Sequence, residues 1–366
     1  MAGRVDKENR TTFQLDKKDF GPIKGAALLL MLAHHFYGFP DTLTNGAVYP
    51  NTLVLTVTAG YWVEHAGRIC VSLFAFLTGY AACRFHPEGF SLPSGLRKAR
   101  MLLERYWLIL FAVFLPLAYF LTDYIPTRSE ILLNLFALRN CVIPYAWYVY
   151  FFVFAMLALP LCIRCFRGKK WTGFLLPVLL CAGLSEYFTS IRVEHVSLAA
   201  AAGECFYTFP MLWTGYCCAE NDVFTQLSRR LPVNNFAVGL CGVLCVLVCR
   251  ICLHDVGQLC MDVLYAPVAT YFLAAGFHCL KQSSPVGKAF ALLGRHAGNV
   301  WLLHAMFFSD YLGHSLQRLV YAPIFPPLVL LFAFCICLPA SAIVEACLRP
   351  LDGLIDGCPH PAEPGV

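Results

Sequence analysis

Two adjacent histidines, His34 and His35, stand in the otherwise apolar and aromatic segment "LLLMLAHHFYGF" (28–39). Imidazole can accept a proton near neutral pH and return it, which is what a general base needs. An ionisable group inside an apolar span is costly unless it is buried in protein or faces a wet cavity, so it is a functional candidate. A structural histidine pair, hydrogen-bonded across helices, is the alternative. Neighbouring side chains diverge on a helix, which argues against one metal ion bound by both rings.

Lys24 shares a predicted helix face with His35. The two residues are eleven positions apart, close to three helical turns, so their side chains project from one face about 16 Å apart along the axis. His34 points about 100° away from that face. We therefore predict that His35 is catalytic, that His34 supports it, and that Lys24 places a cation at the other end of the same face.

Basic side chains are concentrated in the segment "LRKARMLLERYW" (96–107), at the start of a predicted apolar span. Guanidinium groups suit phosphate oxygens because they present forked hydrogen-bond donors. We predict that four cations of this segment act on the phosphates of a ligand: Arg97, Lys98, Arg100 and Arg105. The tendency of inner loops to collect Lys and Arg is the alternative explanation.

Polar and aromatic side chains also occur in the spans of "AWYVYFFVFAMLALPL" (146–161) and "LLGRHAGNVWLLHAMFF" (292–308). Five of them are predicted to contact substrate: Trp147, Tyr148, Asn299, Trp301 and His304. For Trp147 and Tyr148, an aromatic belt at the membrane interface is the alternative. Asp262 lies close enough to the end of a span for us to expect it to be solvated.

Composition indicates a membrane protein. Hydrophobic residues make up 59% of the 366 residues and charged residues only 13%, whereas soluble domains carry about a quarter charged residues. Apolar runs long enough to cross about 30 Å of hydrocarbon as helix recur along the chain. They predict an all-α, polytopic membrane helix bundle of about ten transmembrane helices, at 22–39, 67–83, 106–122, 145–163, 171–188, 199–219, 235–253, 261–280, 297–309 and 325–346.

Charge predicts the orientation of these spans, because cytoplasmic loops accumulate Lys and Arg. With the N- and C-termini both cytoplasmic, most of the 27 basic residues fall on the inside. The exceptions are Arg68, Arg128, Arg139, Arg192, Arg250 and Arg318. The net charge of +5 is thereby explained without nucleic-acid binding, and we expect no nucleic-acid partner.

The predicted organisation is one membrane-embedded domain, residues 21–349, between a cytoplasmic arm, 1–20, and a Pro- and Gly-rich cytoplasmic tail, 350–366. Most of the 19 cysteines lie in apolar spans, where Cys behaves as a small hydrophobe. No cysteine spacing is typical of a metal site, and we expect no metal. The lipid bilayer is the expected environment, with the chain crossing it many times.

Four segments resemble the integral-membrane acyltransferase 3 family. "IKGAALLLMLAHHFYGF" (23–39) is similar to its opening helix, in which a basic residue, ten intervening residues and a His fall here on Lys24 and His35. "VSLFAFLTGYAAC" (71–83) resembles its second-helix pattern, and the segments 146–161 and 292–308 resemble its Trp-aromatic helix and its late Trp-Leu-x-His segment. The matches follow the family order from residue 20 to about 345, and the ten-helix prediction agrees with the family.

The resemblance implies transfer of an acyl group, with acetyl the expected one, from acyl-CoA on the cytoplasmic side to a hydroxyl of a cell-envelope glycan or related acceptor. Acyl-CoA is then a donor substrate, and no permanently bound cofactor is expected. His35 would activate the acceptor hydroxyl, while Lys24 and the cations of segment 97–105 would hold the coenzyme A phosphates. The resemblance also implies a place in the cytoplasmic (plasma) membrane.

The chain departs from the family in two respects. The family often has Arg-x-x-Arg at the start of its third helix, whereas here Arg97 and Arg100 lie upstream and Arg105 has no second Arg after it. The printed chain also contains no soluble hydrolase-like domain of the kind that some relatives append. A non-enzymatic transporter or flippase-like protein for an envelope precursor, with histidines along a polar path, is the alternative function.

Overall fold

The computed structural model describes residues 13–39, 57–86, 88–138, 142–191, 197–253, 258–280, 284–323 and 325–356. Every regular element in these ranges is a helix, and none is a strand. The first eight α-helices are α1 (Lys17–Tyr37), α2 (Val57–Gly67), α3 (Ile69–Arg84), α4 (Leu92–Ile109), α5 (Leu115–Thr122), α6 (Arg128–Leu135), α7 (Trp147–Phe166) and α8 (Lys170–Ser190). The rest are α9 (Ser197–Glu220), α10 (Val223–Arg230), α11 (Phe236–Cys252), α12 (Gln258–His278), α13 (Pro285–Arg295), α14 (Ala297–Leu303), α15 (Ser315–Tyr321) and α16 (Pro326–Asp356).

Three short helical turns complete the described structure. A π-helix, Leu110–Phe114, joins α4 to α5. Two 3₁₀ turns, His304–Phe307 and Asp310–Leu312, follow α14. The all-helical class predicted from the sequence is confirmed for the described residues.

Each of the ten predicted apolar spans overlaps one or more of these helices. By length and hydropathy, five helical segments of the described chain are able to cross a membrane: Gly60–Arg84, Leu92–Thr122, Trp147–Phe166, Trp171–Ser190 and Pro327–Pro350. The count of ten crossings and the cytoplasmic placement of both termini remain predictions. Most of the predicted arm (1–12) and the end of the predicted tail (357–366) lie outside the described residues.

The helix of the third predicted span begins earlier than expected. It starts at Leu92, where the Ser91 hydroxyl accepts a hydrogen bond from the Ser94 backbone N–H at 3.4 Å and Pro93 occupies the first turn. Its first turns carry the basic residues of segment 97–105, and their low hydropathy hides the helix from a search for apolar runs. All four cations therefore lie on one continuous helix.

Glycines allow α3 and α9 to approach each other closely. A Cβ at Gly79 on α3 would lie 1.8 Å from the carbonyl oxygen of Leu212 on α9, and one at Gly215 on α9 would lie 2.0 Å from that of Phe76 on α3. Close backbone approach of this kind is common between helices in membranes, where small residues line the interfaces. No larger side chain fits at either position unless the helices move apart.

The helix α1 is held against α13 in the same way. A Cβ at Gly25 would lie 2.1 Å from the Phe290 carbonyl oxygen, and one at Gly294 would lie 1.8 Å from the Gly21 carbonyl oxygen. This contact fixes the first half of α1, including Lys24, beside the end of α13.

A buried ion pair joins four helices. Arg250 on α11 donates from Nε to Asp262 Oδ1 at 2.8 Å and from Nη2 to Oδ2 at 3.1 Å, and Ser72 on α3 donates to the same Oδ2 at 2.8 Å. Arg250 also donates to the backbone carbonyl of His65 on α2. The expectation of a solvated Asp262 is wrong, because Asp262 is only 3% exposed and its partner Arg250 only 4%. Each charge compensates the cost of burying the other.

Replacement of Gly79 by Ala is expected to destabilise the bundle. The added methyl group meets the Leu212 carbonyl, and overpacking of this kind costs about 1–3 kcal/mol. The measurement is the midpoint of thermal unfolding of the purified protein in detergent. Gly183→Ala is the matched control, because a Cβ at Gly183 on α8 meets nothing within 4 Å. Equal midpoints for the two variants would contradict the close approach of α3 and α9.

Candidate active site

A large cavity inside the bundle connects His35 with Lys24. Its volume is about 1670 Å³, which exceeds the roughly 300–1,000 Å³ of common ligand pockets. His35 is partly exposed in the cavity wall, and Lys24, three turns earlier on α1, lines the same space. The helix face predicted from their spacing is thus a cavity face, and it is large enough for two substrates.

His35 pairs with a histidine from the far end of the sequence. His35 Nδ1 and His304 Nε2 are 2.6 Å apart, and the two rings lie within 6° of parallel. His304 Nδ1 lies 2.5 Å from the backbone carbonyl oxygen of Trp301. His304 itself is fully buried, so the structure places it behind His35 and not at the predicted substrate contact.

These contacts fix the protons of the two neutral rings. A carbonyl oxygen only accepts, so His304 must donate to Trp301 through Nδ1–H. Its Nε2 then carries the lone pair and accepts the Nδ1–H of His35. The lone pair of His35 is consequently at Nε2, which makes Nε2 the basic atom of a ring that lines the cavity.

Tyr145 covers the face of the His35 ring. The two rings stack with centroids 4.0 Å apart and an interplanar angle of 15°. Tyr145 has φ of +66°, a left-handed conformation that costs a non-glycine residue about 1–2 kcal/mol. Backbone strain of this kind clusters at functional sites, and here it brings an aromatic face onto the candidate base.

His34 packs against α2. A Cβ on Gly67 would lie only 2.6 Å from the His34 Cβ, so the glycine lets α2 approach α1 at this level. The His34 ring is buried and lies 5.0 Å from the His35 ring. The structure thus places His34 between His35 and a neighbouring helix, where a supporting side chain is expected.

Cations gather at the opposite end of the cavity. Lys24 on α1 and Lys98 and Arg105 on α4 line the same cavity, although they come from two different helices. On α4, one face lines the cavity at helical spacing: Ser94, Arg97, Lys98, Met101, Leu102 and Arg105. Arg97 and Arg105 therefore lie two turns apart on this face, even though no Arg follows Arg105 in the sequence.

Arg100 does not line the cavity. It projects from another side of α4, where its Nε lies 3.2 Å from Glu104 Oε1. At 100° per residue, Arg100 lies about 60° from Arg97 on the side away from Lys98, Met101 and Arg105. The structure therefore does not bring Arg100 together with the other predicted phosphate-binding residues.

A polar network lines this end of the cavity. Arg105 Nη2 donates to Glu345 Oε1 at 3.0 Å, and Asn299 Nδ2 lies 2.9 Å from the same oxygen. The Asn299 amide also donates to the Ser341 hydroxyl at 3.0 Å, and Ser341 lies 2.8 Å from His296 Nδ1. Asn299, which is predicted to bind substrate, holds Glu345 through Nδ2, and through Glu345 it holds Arg105. Its Oδ1 has no hydrogen-bond partner among the described residues.

Aromatic side chains line the wall between the two ends. The rings of Tyr148 and Trp301 meet edge to face at 5.5 Å, and those of Tyr148 and Trp147 at 5.8 Å. All three line the cavity. Their position inside the bundle differs from that of an interfacial belt.

Several cavity residues have no motif that marks them in the sequence. Four such residues line the cavity: Arg68, His86, Arg295 and Arg349. In the sequence, each is an isolated basic residue at the end of a span. Burial, and then the charge of Lys98, lower the pKa of His86 below its usual value, which favours its neutral form. The three arginines add charge.

No group of three or more His, Cys, Asp or Glu side chains within the described ranges forms a metal-type cluster. The cavity chemistry of this part of the chain is that of a base, a cluster of cations and an aromatic wall.

Comparison with known proteins assigns the chain to a family. The acyltransferase 3 family model, described as an acyltransferase domain, matches residues 23–346. This range contains His35, His304, Lys24 and the cavity face of α4. No curated protein and no solved structure matches the chain. The chain, with nearly its whole length matched, belongs to the membrane acyltransferase 3 family.

Proposed function

We propose that the protein is an O-acyltransferase that moves an acyl group, with acetyl the expected one, from acyl-CoA to a hydroxyl of a cell-envelope glycan or related acceptor. One observation carries the proposal. A histidine whose Nε2 is basic lines a cavity that also contains a cluster of cations. Membrane acyltransferase activity is supported by the family, and the nature of donor and acceptor is our inference.

The cation cluster fits the phosphate-rich end of acyl-CoA. Lys24, Arg97, Lys98 and Arg105 line the cavity together, and guanidinium groups bind phosphate in a bidentate manner. Lys24 and His35 are separated by about 16 Å along α1. A donor that carries phosphates at one end and a thioester at the end of a long arm spans this separation.

The protonation of the His35 ring supports direct transfer of the acyl group from the thioester to the acceptor hydroxyl. His35 Nε2 takes the proton of the acceptor hydroxyl as the oxygen attacks the thioester carbonyl carbon, and a tetrahedral intermediate forms. Collapse of the intermediate breaks the carbon–sulfur bond, and the Nε2 proton passes to the sulfur of coenzyme A. The products are the acyl ester and the free thiol, and His35 returns to its starting state.

Neighbours of His35 stabilise the charge that it acquires. The Nδ1–H of the imidazolium still donates to His304 Nε2 at 2.6 Å. Tyr145 offers its ring face at 4.0 Å, and an aromatic face attracts a cation. His304 and Tyr145 are therefore positioning residues, because they act on the reaction through His35.

The membrane orientation follows from the same proposal. We place the cation cluster on the cytoplasmic side, where basic loops are enriched and where acyl-CoA is available. With ten crossings of the plasma membrane and both termini in the cytoplasm, the end of the cavity that contains His35 faces the cell envelope. A transporter or flippase-like protein, the alternative, would also need a polar cavity, but it would consume no thioester.

Replacement of His35 by Ala is expected to reduce acyl transfer by about 10²–10⁴-fold, the usual contribution of a general base. The measurement is the release of free coenzyme A thiol by purified protein in lipid nanodiscs. His314→Ala is the control, since His314 contacts Gln317 and is not among the cavity-lining residues. Full activity of His35→Ala in correctly inserted protein would remove His35 from catalysis.

Three single arginine variants test the donor site. Arg97→Ala and Arg105→Ala should each raise the KM for acyl-CoA about tenfold or more, because each removes a charge-assisted phosphate contact worth about 1.5–3 kcal/mol. Arg100→Ala is the matched control on the same helix, where Arg100 pairs with Glu104 outside the cavity. Steady-state kinetics at varied acyl-CoA concentration provides the readout. Equal effects of all three variants would mean that general positive charge, and not the cavity face of α4, attracts the donor.

A further inference from the structure

His296 joins α13 to α14 at the end of the cavity where the cations gather. Its ring is partly exposed and lines the cavity. Two residues later, Gly298 leaves room for Arg105, whose Nη1 would lie 3.6 Å from a Cβ at that position. The proposed reaction gives His296 no role, although the residue lies close to a member of the cation cluster.

A buried hydroxyl fixes the proton of the His296 ring. Ser341 on α16 is fully buried, and its Oγ lies 2.8 Å from His296 Nδ1. The Asn299 amide nitrogen lies 3.0 Å from the same Oγ, and an amide nitrogen only donates. Among the described residues, His296 Nδ1 is therefore the one acceptor within reach of the Ser341 O–H. A proton on Nδ1 would leave this hydroxyl buried without an acceptor, which is costly.

The neutral His296 ring consequently accepts at Nδ1 and carries its proton on Nε2. Nε2 makes no hydrogen bond to the described residues. Because Nδ1 is turned toward the buried Ser341, the Nε2–H is the polar group that this ring offers to the cavity. His35 and His296 are thus opposite in character, since His35 presents a lone pair to the cavity and His296 presents a hydrogen-bond donor.

A ligand oxygen that carries negative charge suits the His296 donor best. Hydrogen bonds to a charged group are stronger than those between neutral groups. Arg105 and Arg295 line the same cavity, and their charges attract an anion. Arg105 already donates to Glu345, whereas the Nε2–H of His296 has no carboxylate to compete with the ligand.

We propose that His296 is a further donor-binding residue whose Nε2–H donates a hydrogen bond to a phosphate oxygen of acyl-CoA. This inference rests on the proposed function, because that function supplies the phosphate-bearing ligand. Coenzyme A carries phosphate oxygens in its 3′-phosphate and in its diphosphate, and both offer the same chemistry to the ring. Ser341 is a positioning residue, because it acts on the ligand through His296.

Two substitutions separate the two nitrogens of the ring. His296→Asn keeps an acceptor near the position of Nδ1 and loses the donor at Nε2, whereas His296→Gln extends an amide N–H toward the position of Nε2. His314→Asn is the control, since His314 contacts Gln317 and is not among the cavity-lining residues. Isothermal titration calorimetry with the full-length protein in nanodiscs measures the Kd of coenzyme A and of dephospho-coenzyme A, which lacks the 3′-phosphate. Thioester consumption from acetyl-CoA is measured on the same samples.

We expect His296→Asn to weaken the binding of coenzyme A about tenfold, while His296→Gln and the control bind it nearly as tightly as the unaltered protein. Weakening for coenzyme A alone assigns the contact to the 3′-phosphate, and weakening for both ligands assigns it to the diphosphate. Unchanged binding in His296→Asn, or equal weakening in His296→Asn and His296→Gln, overturns the proposal. Coenzyme A binding that depends on His296 without any thioester consumption upholds the phosphate contact and contradicts the proposed function.

Nitrogen NMR of the protein with isotopically labelled histidine tests the tautomer independently of binding. The ring signals that disappear in His296→Asn belong to His296, and we expect them to show an unprotonated Nδ1 and a protonated Nε2. Ser341→Ala should allow the second tautomer to appear. A protonated Nδ1 in the unaltered protein overturns the assignment of Nε2–H as the donor.

Discussion

Polar side chains inside an apolar helix bundle must either pair with one another or face a wet cavity, because unpaired burial costs several kcal/mol. The described part of this protein uses both solutions. Arg250 and Asp262 satisfy each other in a closed pair. His35 instead faces the cavity, with its second nitrogen satisfied by His304. The closed pair holds the helices in place, and the open group is available for chemistry.

The same requirement separates the cavity into two ends of different chemistry. Cations from α1 and α4 line one end of the cavity, where Glu345 partly neutralises Arg105. At the other end His35 lines the cavity, and the Tyr145 ring stacks on it. In the proposed acyl transfer, the cations hold the polyanionic donor and His35 acts on the acceptor hydroxyl at the other end of the cavity.

Local spacing predicts the parts of the site that lie on one helix. The eleven-residue separation of Lys24 and His35 is a helical repeat, so their common face follows from the sequence. The cavity face of α4 could be predicted only in part, because the polar first turns hide the start of the helix and Arg100 looks equivalent to Arg97. With the helix beginning at Leu92, the helical repeat places Arg97 and Arg100 about 60° apart, and the packing of the bundle decides which of them lines the cavity.

Contacts between distant segments could not be predicted in this way. His304 is 269 positions from His35, and nothing in either segment signals that the two rings share a hydrogen bond. In the sequence, Asp262 and Arg250 are each a polar residue near the end of a span. They form a buried ion pair only because α11 packs against α12. The tautomer of His35 likewise depends on the backbone carbonyl of Trp301, and a backbone contact of this kind cannot be inferred from the types of the residues.

The central claim is that one cavity brings the thioester of acyl-CoA to His35. Cryo-electron microscopy of the protein in nanodiscs with a non-transferable thioether analogue of acetyl-CoA tests it most directly. The account predicts phosphate density against Lys24, Arg97 and Arg105, with the acyl end beside His35 Nε2. Density for the analogue outside the cavity, or inside it with the acyl end directed away from His35, would contradict the account.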